Sequence, residues 1–210
     1  MLCDLMNGAI ENALGELDQA FPADSAEKYA TLFAELAHWN QRVNLTAISD
    51  PGEVLAGHLL DSLSARPLLH GQQVLDVGTG AGFPGLPLAI AEPGRSFVLI
   101  DSNNKKVMFV QHMARLLDLG NVSAVKVRTE DYAPGNRFDT VIARAVAALP
   151  RLVEMAGHLV REGGVFVALK GRYPAKELEQ MPATWNYNVT ELTVPGFEAG
   201  SRHAVIMQHK

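Results

Sequence analysis

The stretch VLDVGTGAGFPGLPLAI, Val74 to Ile90, begins as a buried strand, passes through a glycine-rich turn and ends as an apolar helix. That order opens a βαβ unit with a ligand loop at its first turn. Two registers fit the glycines. Read as G-x-G-x-x-G, the motif is Gly80-Ala-Gly82-Phe-Pro-Gly85, whose first glycine comes late, after Val77, Gly78 and Thr79. Read as Asp76-x-Gly78-x-Gly80-x-Gly82, it starts at the strand end and brings a carboxylate into the ligand pocket. A carboxylate there opposes a pyrophosphate and suits a ligand with a sulfonium and an ammonium group. The second register is preferred.

Outward from this loop, strand-like runs alternate with helical stretches. The strands are QVLDV (73–77), FVLID (97–101), VSAVKV (122–127), FDTVIAR (138–144) and GVFVALK (164–170), and the helices fall near 84–91, 104–119 and 149–161. This alternation predicts right-handed βαβ units and a mostly parallel sheet with helices on both faces. After residue 182, NVTELTV and HAVIMQ read as two strands without a helix between them, an antiparallel finish. Residues 1–70 read as a helical extension and 71–210 as the ligand-binding domain. Within the extension Pro22 separates two helical segments, DSAE (Asp24 to Glu27) offers a capping box, and Tyr29, Leu32, Phe33, Leu36 and Val43 recur at helical spacing. A further helix spans Glu53 to Ala65 after the loop NLTAISDPG.

Composition narrows the class. The chain of 210 residues is 48% hydrophobic and 20% charged, as expected of a globular protein able to bury a core without staples. Its single cysteine, Cys3, forms no internal disulfide, its N-terminus lacks the cationic start of a signal peptide, and no apolar run reaches membrane-span length. A cytoplasmic protein with no membrane partner and no metal site is expected; a monomer is the default. Net charge is −5, with 10 acidic and 3 basic residues in 1–70 against 13 and 15 in 71–210. General attraction to nucleic acid is therefore weak, and any such contact is local.

Chemistry is sought where strands end. Asp101 ends the second strand, about 20 residues past the loop, where an acidic side chain accepts from ribose hydroxyls; capping the helix after DSNNKK is the competing reading. Arg128, Arg144 and Lys170 lie near the ends of strands three to five, placed to donate to phosphate or carbonyl oxygens of a ligand. Strand-end salt bridges are the alternative. Lys105 and Lys106 read as a solvated helix start, and His58 as a packing histidine. A nicotinamide-dependent oxidoreductase would share Gly80, Gly82 and Asp101, and a non-enzymatic RNA-binding factor would explain the cations but not the glycine loop.

Asp76-x-Gly78-x-Gly80-x-Gly82 together with Asp101 resembles the S-adenosylmethionine site of class I methyltransferases, a Rossmann-like fold of seven strands. RVNLTAI, HLLDSL, DVGTGAGFPGLPLAI, FDTVIARA, ALKG and RHAVI, running from about residue 42 to 206, resemble the bacterial RsmG (GidB) family. The resemblance implies a methyltransferase acting on N7 of guanine 527 in the 530 loop of 16S ribosomal RNA, within the small ribosomal subunit; the wider alternatives are another RNA or a non-enzymatic small-subunit factor. It places cofactor contacts on Gly78, Phe83, Thr129, Glu130 and Arg144, and RNA contacts on Asn44 and Arg202. The residues agree with N7. A C5-pyrimidine enzyme needs a thiolate in the pocket, and Cys3 lies in the extension; the Asn/Asp-Pro-Pro-aromatic motif of exocyclic-amine enzymes is replaced by ARAVAALP after the fourth strand. N7 carries a lone pair and no proton, so alignment suffices and no general base is expected. Arg144, nearest both partners, is the residue assigned to positioning.

Overall fold

The computed structural model describes residues 2–46, 51–198 and 200–210, with no side-chain description for 2–6, 51 and 53. Part of the loop NLTAISDPG, and the side chain of Cys3, therefore lie outside the described residues. Seven strands form one sheet: β1 (Gln73–Val77), β2 (Ser96–Asp101), β3 (Val122–Lys126), β4 (Phe138–Arg144), β5 (Val160–Lys170), β6 (Trp185–Glu191) and β7 (His203–His209), in the order β3-β2-β1-β4-β5-β7-β6. Strands β1 to β5 pair in parallel, while β7 runs antiparallel to both β5 and β6. The expected mostly parallel sheet with an antiparallel finish is what forms. After β3 the chain crosses back to lay β4 beside β1, which opens a crevice beyond the carboxyl ends of those two strands.

Side-chain alternation divides the core into two layers. On β5, Val165, Val167 and Leu169 face one cluster while Phe166 and Ala168 face the other. The first layer is covered by α1 (Leu2–Gly15), α2 (Ser25–Asn40), α5 (Gly85–Ala91) and α6 (Asn104–Leu116), and the second by α7 (Leu149–Ala156) and α8 (Ala175–Leu178). Helix α7 shows why such a segment folds this way: Leu149, Leu152, Val153 and Ala156 make one apolar stripe, and all four are buried. Ile10, Leu14 and Phe33 from the N-terminal helices belong to the same continuous cluster as Leu86, Phe109 and Val167. Among the described residues no helix is long and apolar enough to cross a membrane.

Several local expectations are corrected. Asp24 precedes α2, but its φ/ψ of −90°/3° is not the extended geometry of a capping residue and its carboxylate makes no cap bond; it pairs with Lys28 Nζ at 2.8 Å. Val43 lies beyond the end of α2 and is only half-buried. Helices α6 and α7 end earlier than expected, β5 starts at Val160, and β6 starts three residues before NVTELTV. The expected helix over 53–65 is α3 (Pro51–Val54), a π-helical turn Leu55–Leu60 and α4 (Asp61–Leu63). Such π-turns are rare and frequently occur at functional sites.

Candidate functional site

The loop after β1 is built on three glycines in the left-handed region, Gly78 (φ 64°), Gly80 (φ 61°) and Gly82 (φ 88°). Asp76 holds it from beneath. The sequence aims this carboxylate into the ligand pocket; in the structure it is fully buried, and Oδ2 accepts from Thr79 Oγ1 at 2.6 Å and from the Gly85 backbone N–H at 2.9 Å. It thus ties the strand end to the start of α5. Burial pushes its pKa up to about 7, against the hydrogen bonds from Thr79 and Gly85 and the charge of Arg144. Asp76 Oδ1 is buried with no hydrogen-bond partner among the described residues.

Beyond the loop lies a cleft of about 350 Å³ lined by Gly78, Asp101, Arg128, Thr129, Glu130, Ala145, Val146 and Met155, among others. Asp101 Oδ2 accepts from the Gly80 N–H at 3.0 Å and Oδ1 from the Asn103 N–H at 2.8 Å. Its carboxylate is therefore fixed against the glycine loop, and the cap of α6 is Asn103, whose side chain accepts from Lys105 N–H. Lys105 is solvated as expected, whereas Lys106 reaches back so that its Nζ is 3.9 Å from where a Cβ on Gly80 would lie. Glu130 is exposed and paired with Arg151 at 2.9 Å, while Thr129 is buried. Arg128 opens into this cleft and not beside Lys170, so the expected row of strand-end cations is split between two clefts.

The second cleft, about 430 Å³, is lined by Gly57, His58, Asp61, Arg144, Ala145, Leu169, Lys170, Gly171 and Arg202. Arg144 Nη1 donates to Gly57 O at 2.8 Å and to Asp61 Oδ2 at 2.9 Å, and Nη2 meets His58 Nδ1 at 3.1 Å. A guanidinium can only donate, so His58 Nδ1 accepts and its Nε2–H donates to Thr46 Oγ1 at 3.0 Å. Burial, followed by the charge of Arg144, lowers the His58 pKa to about 4; the ring is neutral and stacks on Phe83 with centroids 4.5 Å apart. His58 is thus the satisfied packing histidine its surroundings suggest, and it also orients Arg144. Arg202 Nε meets Asp61 Oδ1 at 3.0 Å, and Lys170 Nζ meets Glu177 Oε2 at 2.8 Å.

Ala145 lines both clefts and holds φ 53°, a strained value for a residue with a side chain. The strain marks the turn at which β4 delivers Arg144 to one cleft and the following residues to the other. Phe83 is buried between Phe33 and His58, with Arg144 5.7 Å above its ring; it backs the second cleft and lines neither. Asn44 is exposed on the loop after α2, which Asn40 anchors through Leu45 and Thr46; it lines neither cleft. The residue that sequence reasoning missed is Asp61. Its signal was an aspartate in the middle of the apolar run HLLDSL, where an uncompensated charge is costly. Among the described residues no group of three or more His, Cys, Asp or Glu side chains could hold a metal ion.

Comparisons with known proteins agree with this architecture. Residues 25–205 match the GidB family model, described as rRNA small subunit methyltransferase G. The chain is 45% identical over 204 residues to the ribosomal RNA small subunit methyltransferase G of Idiomarina loihiensis, covering 95% of this chain and 98% of that one. It is 46% identical over 194 residues to the protein of the same name from Methylococcus capsulatus, covering 92% and 94%. Among solved structures it resembles the ribosomal protein L11 methylase of Lactobacillus delbrueckii subsp. bulgaricus (TM-score 0.58, 17% identity, 78% of this chain and 81% of that one). It also resembles the glycopeptide N-methyltransferase MtfA complexed with S-adenosyl-L-methionine (TM-score 0.60, 11% identity, 73% and 87%). At those identities the structural likeness speaks for the fold, that of class I methyltransferases.

Proposed function

This chain belongs to the GidB family of rRNA small subunit methyltransferases, and on that premise we propose that it transfers a methyl group from S-adenosylmethionine to N7 of guanine 527 of 16S ribosomal RNA. It is an S-adenosylmethionine-dependent rRNA methyltransferase; the atom and the nucleotide are the proposed part. The observation that carries the reading is the meeting of two clefts at Ala145, one floored by the glycine loop and Asp101, the other walled by arginines.

The residues present fit the cofactor. A Cβ placed on Gly80 would make only ordinary contacts, with Lys106 Nζ at 3.9 Å and Gly78 O at 4.0 Å, so the loop backbone can be approached closely by a ligand. Asp101, already oriented by two backbone amides, is placed to accept from ribose hydroxyls. Thr129 and Glu130 border the adenine end, with Val146 and Met155 as apolar walls. When bound, S-adenosylmethionine supplies a methyl group on a cationic sulfur, which a guanine N7 lone pair takes up without first losing a proton. The chain's remaining task is to hold the base in line and exclude other poses. Arg144, Arg202 and Lys170 supply the donors for guanine O6 and the adjoining phosphates, with N7 left free. Asn44, on the loop after α2, extends the RNA contact, and Gly57, His58 and Asp61 from residues 1–70 line the second cleft.

The acidic balance of the chain favours recognition of a preformed surface, so the substrate is the assembled small subunit, met in the cytoplasm by a monomer. Incubating the protein with labelled S-adenosylmethionine and small subunits lacking the modification should place N7-methylguanine at position 527, faster than on protein-free 16S RNA at equal salt. Label at another nucleotide would move the target. Binding without transfer would make the protein a non-enzymatic factor.

A further inference from the structure

The second cleft contains one acidic side chain, Asp61, among its described lining residues, and that carboxylate touches two of the cleft's three cations. It is the first residue of α4, directly after the π-helical turn, and is 7% exposed. The π-turn also brings Gly57 O and His58 Nδ1 to Arg144, so this guanidinium is gripped by three acceptors from one short segment. Arg202, directly before β7, rests on Phe197 at 3.7 Å and donates Nη1 to Ser201 O at 2.8 Å. Resting on the reading of this cleft as the rRNA site, we propose that Asp61 is its positioning residue, locking Arg144 and Arg202 in one geometry so that their remaining donors converge on the target guanosine.

A donor count supports this. Each guanidinium carries five N–H groups. The contacts described leave two on Arg144 and three on Arg202 without a partner among the described residues. Unbridged, the two neighbouring cations would repel, and each long side chain would lose rotamer freedom on binding RNA. The shared carboxylate offsets the repulsion and removes that ordering cost before RNA arrives. The triad keeps one net positive charge, enough to favour an anionic ligand. Stability alone is a poor reason for the arrangement, since a buried ion pair is often no better than apolar packing, and this one forms the wall of an open cleft.

The test uses the full chain and small subunits lacking the modification. Asp61→Asn should bind S-adenosylmethionine within about twofold of the wild-type affinity, raise the KM for small subunits at least about tenfold and lower kcat. Asp61→Glu, which keeps the charge at altered reach, should recover part of the loss. Arg202→Gln should cost much less in the Asp61→Asn background than in the wild type, because one geometry has already been lost. Wild-type kcat/KM in Asp61→Asn, or effects of the two substitutions that simply multiply, would overturn the proposal. The wild-type reaction on the same subunits separates the two levels. No transfer by the wild type refutes the proposed function itself, whereas transfer by the wild type and equal transfer by Asp61→Asn refutes only the role of Asp61.

Discussion

Replacing Gly80 by alanine separates the cradle of the loop from its fold. The left-handed backbone at φ 61° costs a residue with a side chain about 1–2 kcal/mol. The added Cβ meets nothing within the protein closer than Lys106 Nζ, at 3.9 Å, the far end of a flexible side chain. For a chain of this size 1 kcal/mol corresponds to about 2–4 °C, so Tm should fall by about 2–8 °C, well within a typical folding stability of roughly 5–15 kcal/mol. With the proposed cofactor lying against the Gly80 backbone, the same methyl group is an overpacking of about 1–3 kcal/mol, or about 5- to 150-fold in Kd. Gly82→Ala is the contrast: its Cβ would overlap Leu86 Cδ1 while its φ of 88° adds strain, so the cost of about 2–5 kcal/mol appears in Tm. Thermal melts paired with calorimetric titration of S-adenosylmethionine read both quantities. A Gly80→Ala protein that melts a few degrees low yet binds the cofactor with unchanged Kd would refute the cradle.

Arg144→Lys keeps one charge but cannot serve Gly57 O, Asp61 and His58 together; each group left unpaired costs about 1–3 kcal/mol, so Tm falls and methyl transfer drops at least about tenfold. A stability loss with full turnover per folded molecule would remove Arg144 from the reaction. Arg128→Ala should raise the KM for S-adenosylmethionine and leave that for small subunits unchanged, because its cleft is the one bordered by Asp101 and Thr129; the opposite split would return it to the RNA surface. In the pH dependence of stability, two buried groups oppose each other. His58, held near 4 against 6.5, makes the fold weaker as pH drops from 6.5 towards 4, since the unfolded chain takes up the proton first. Asp76, held near 7 against 3.8, gives its full contribution below 3.8 and loses it as pH climbs to 7. Glu92, held low by Arg66 and Arg95 against its burial, acts below pH 4.5. Denaturation midpoints of the wild type should therefore change little between pH 4.5 and 7, whereas Asp76→Asn should show stability rising with pH; a flat profile in that variant would contradict the opposition.

The sheet was legible because its signal is periodic and repeated. Central strands such as FDTVIAR are buried on both faces and read as near-continuous apolar runs, and the intervening helices carry stripes like that of α7. What stayed hidden were features without a period. The π-turn at Leu55–Leu60 differs from an α-turn by one added residue in a hydrogen-bonded ring, and LAGHLL carries no signature of it. The capping box at Asp24 has the required residue types, yet Lys28 competes for the carboxylate and the backbone there never becomes extended.

The site misreadings share one physical cause. A strand-end position tells which edge of the sheet a side chain occupies, but not which side of that edge it takes. Arg128 lies just beyond β3 and Arg144 ends β4, yet they open into different clefts, and Ala145, directly after Arg144, lines both. Asp76 obeys the same limit: one residue before the strand ends, it points under the loop and not over it, and its partners Thr79 and Gly85 lie in the very motif that advertised a ligand. Asp61 was harder still, since its partner Arg144 is 83 residues away in sequence. Its charge could be explained only by a cation that folding brings to it. An aspartate inside an apolar helical run is thus a statement that such a cation exists, and here the cations it gathers, Arg144 and Arg202, are those proposed to meet the guanine.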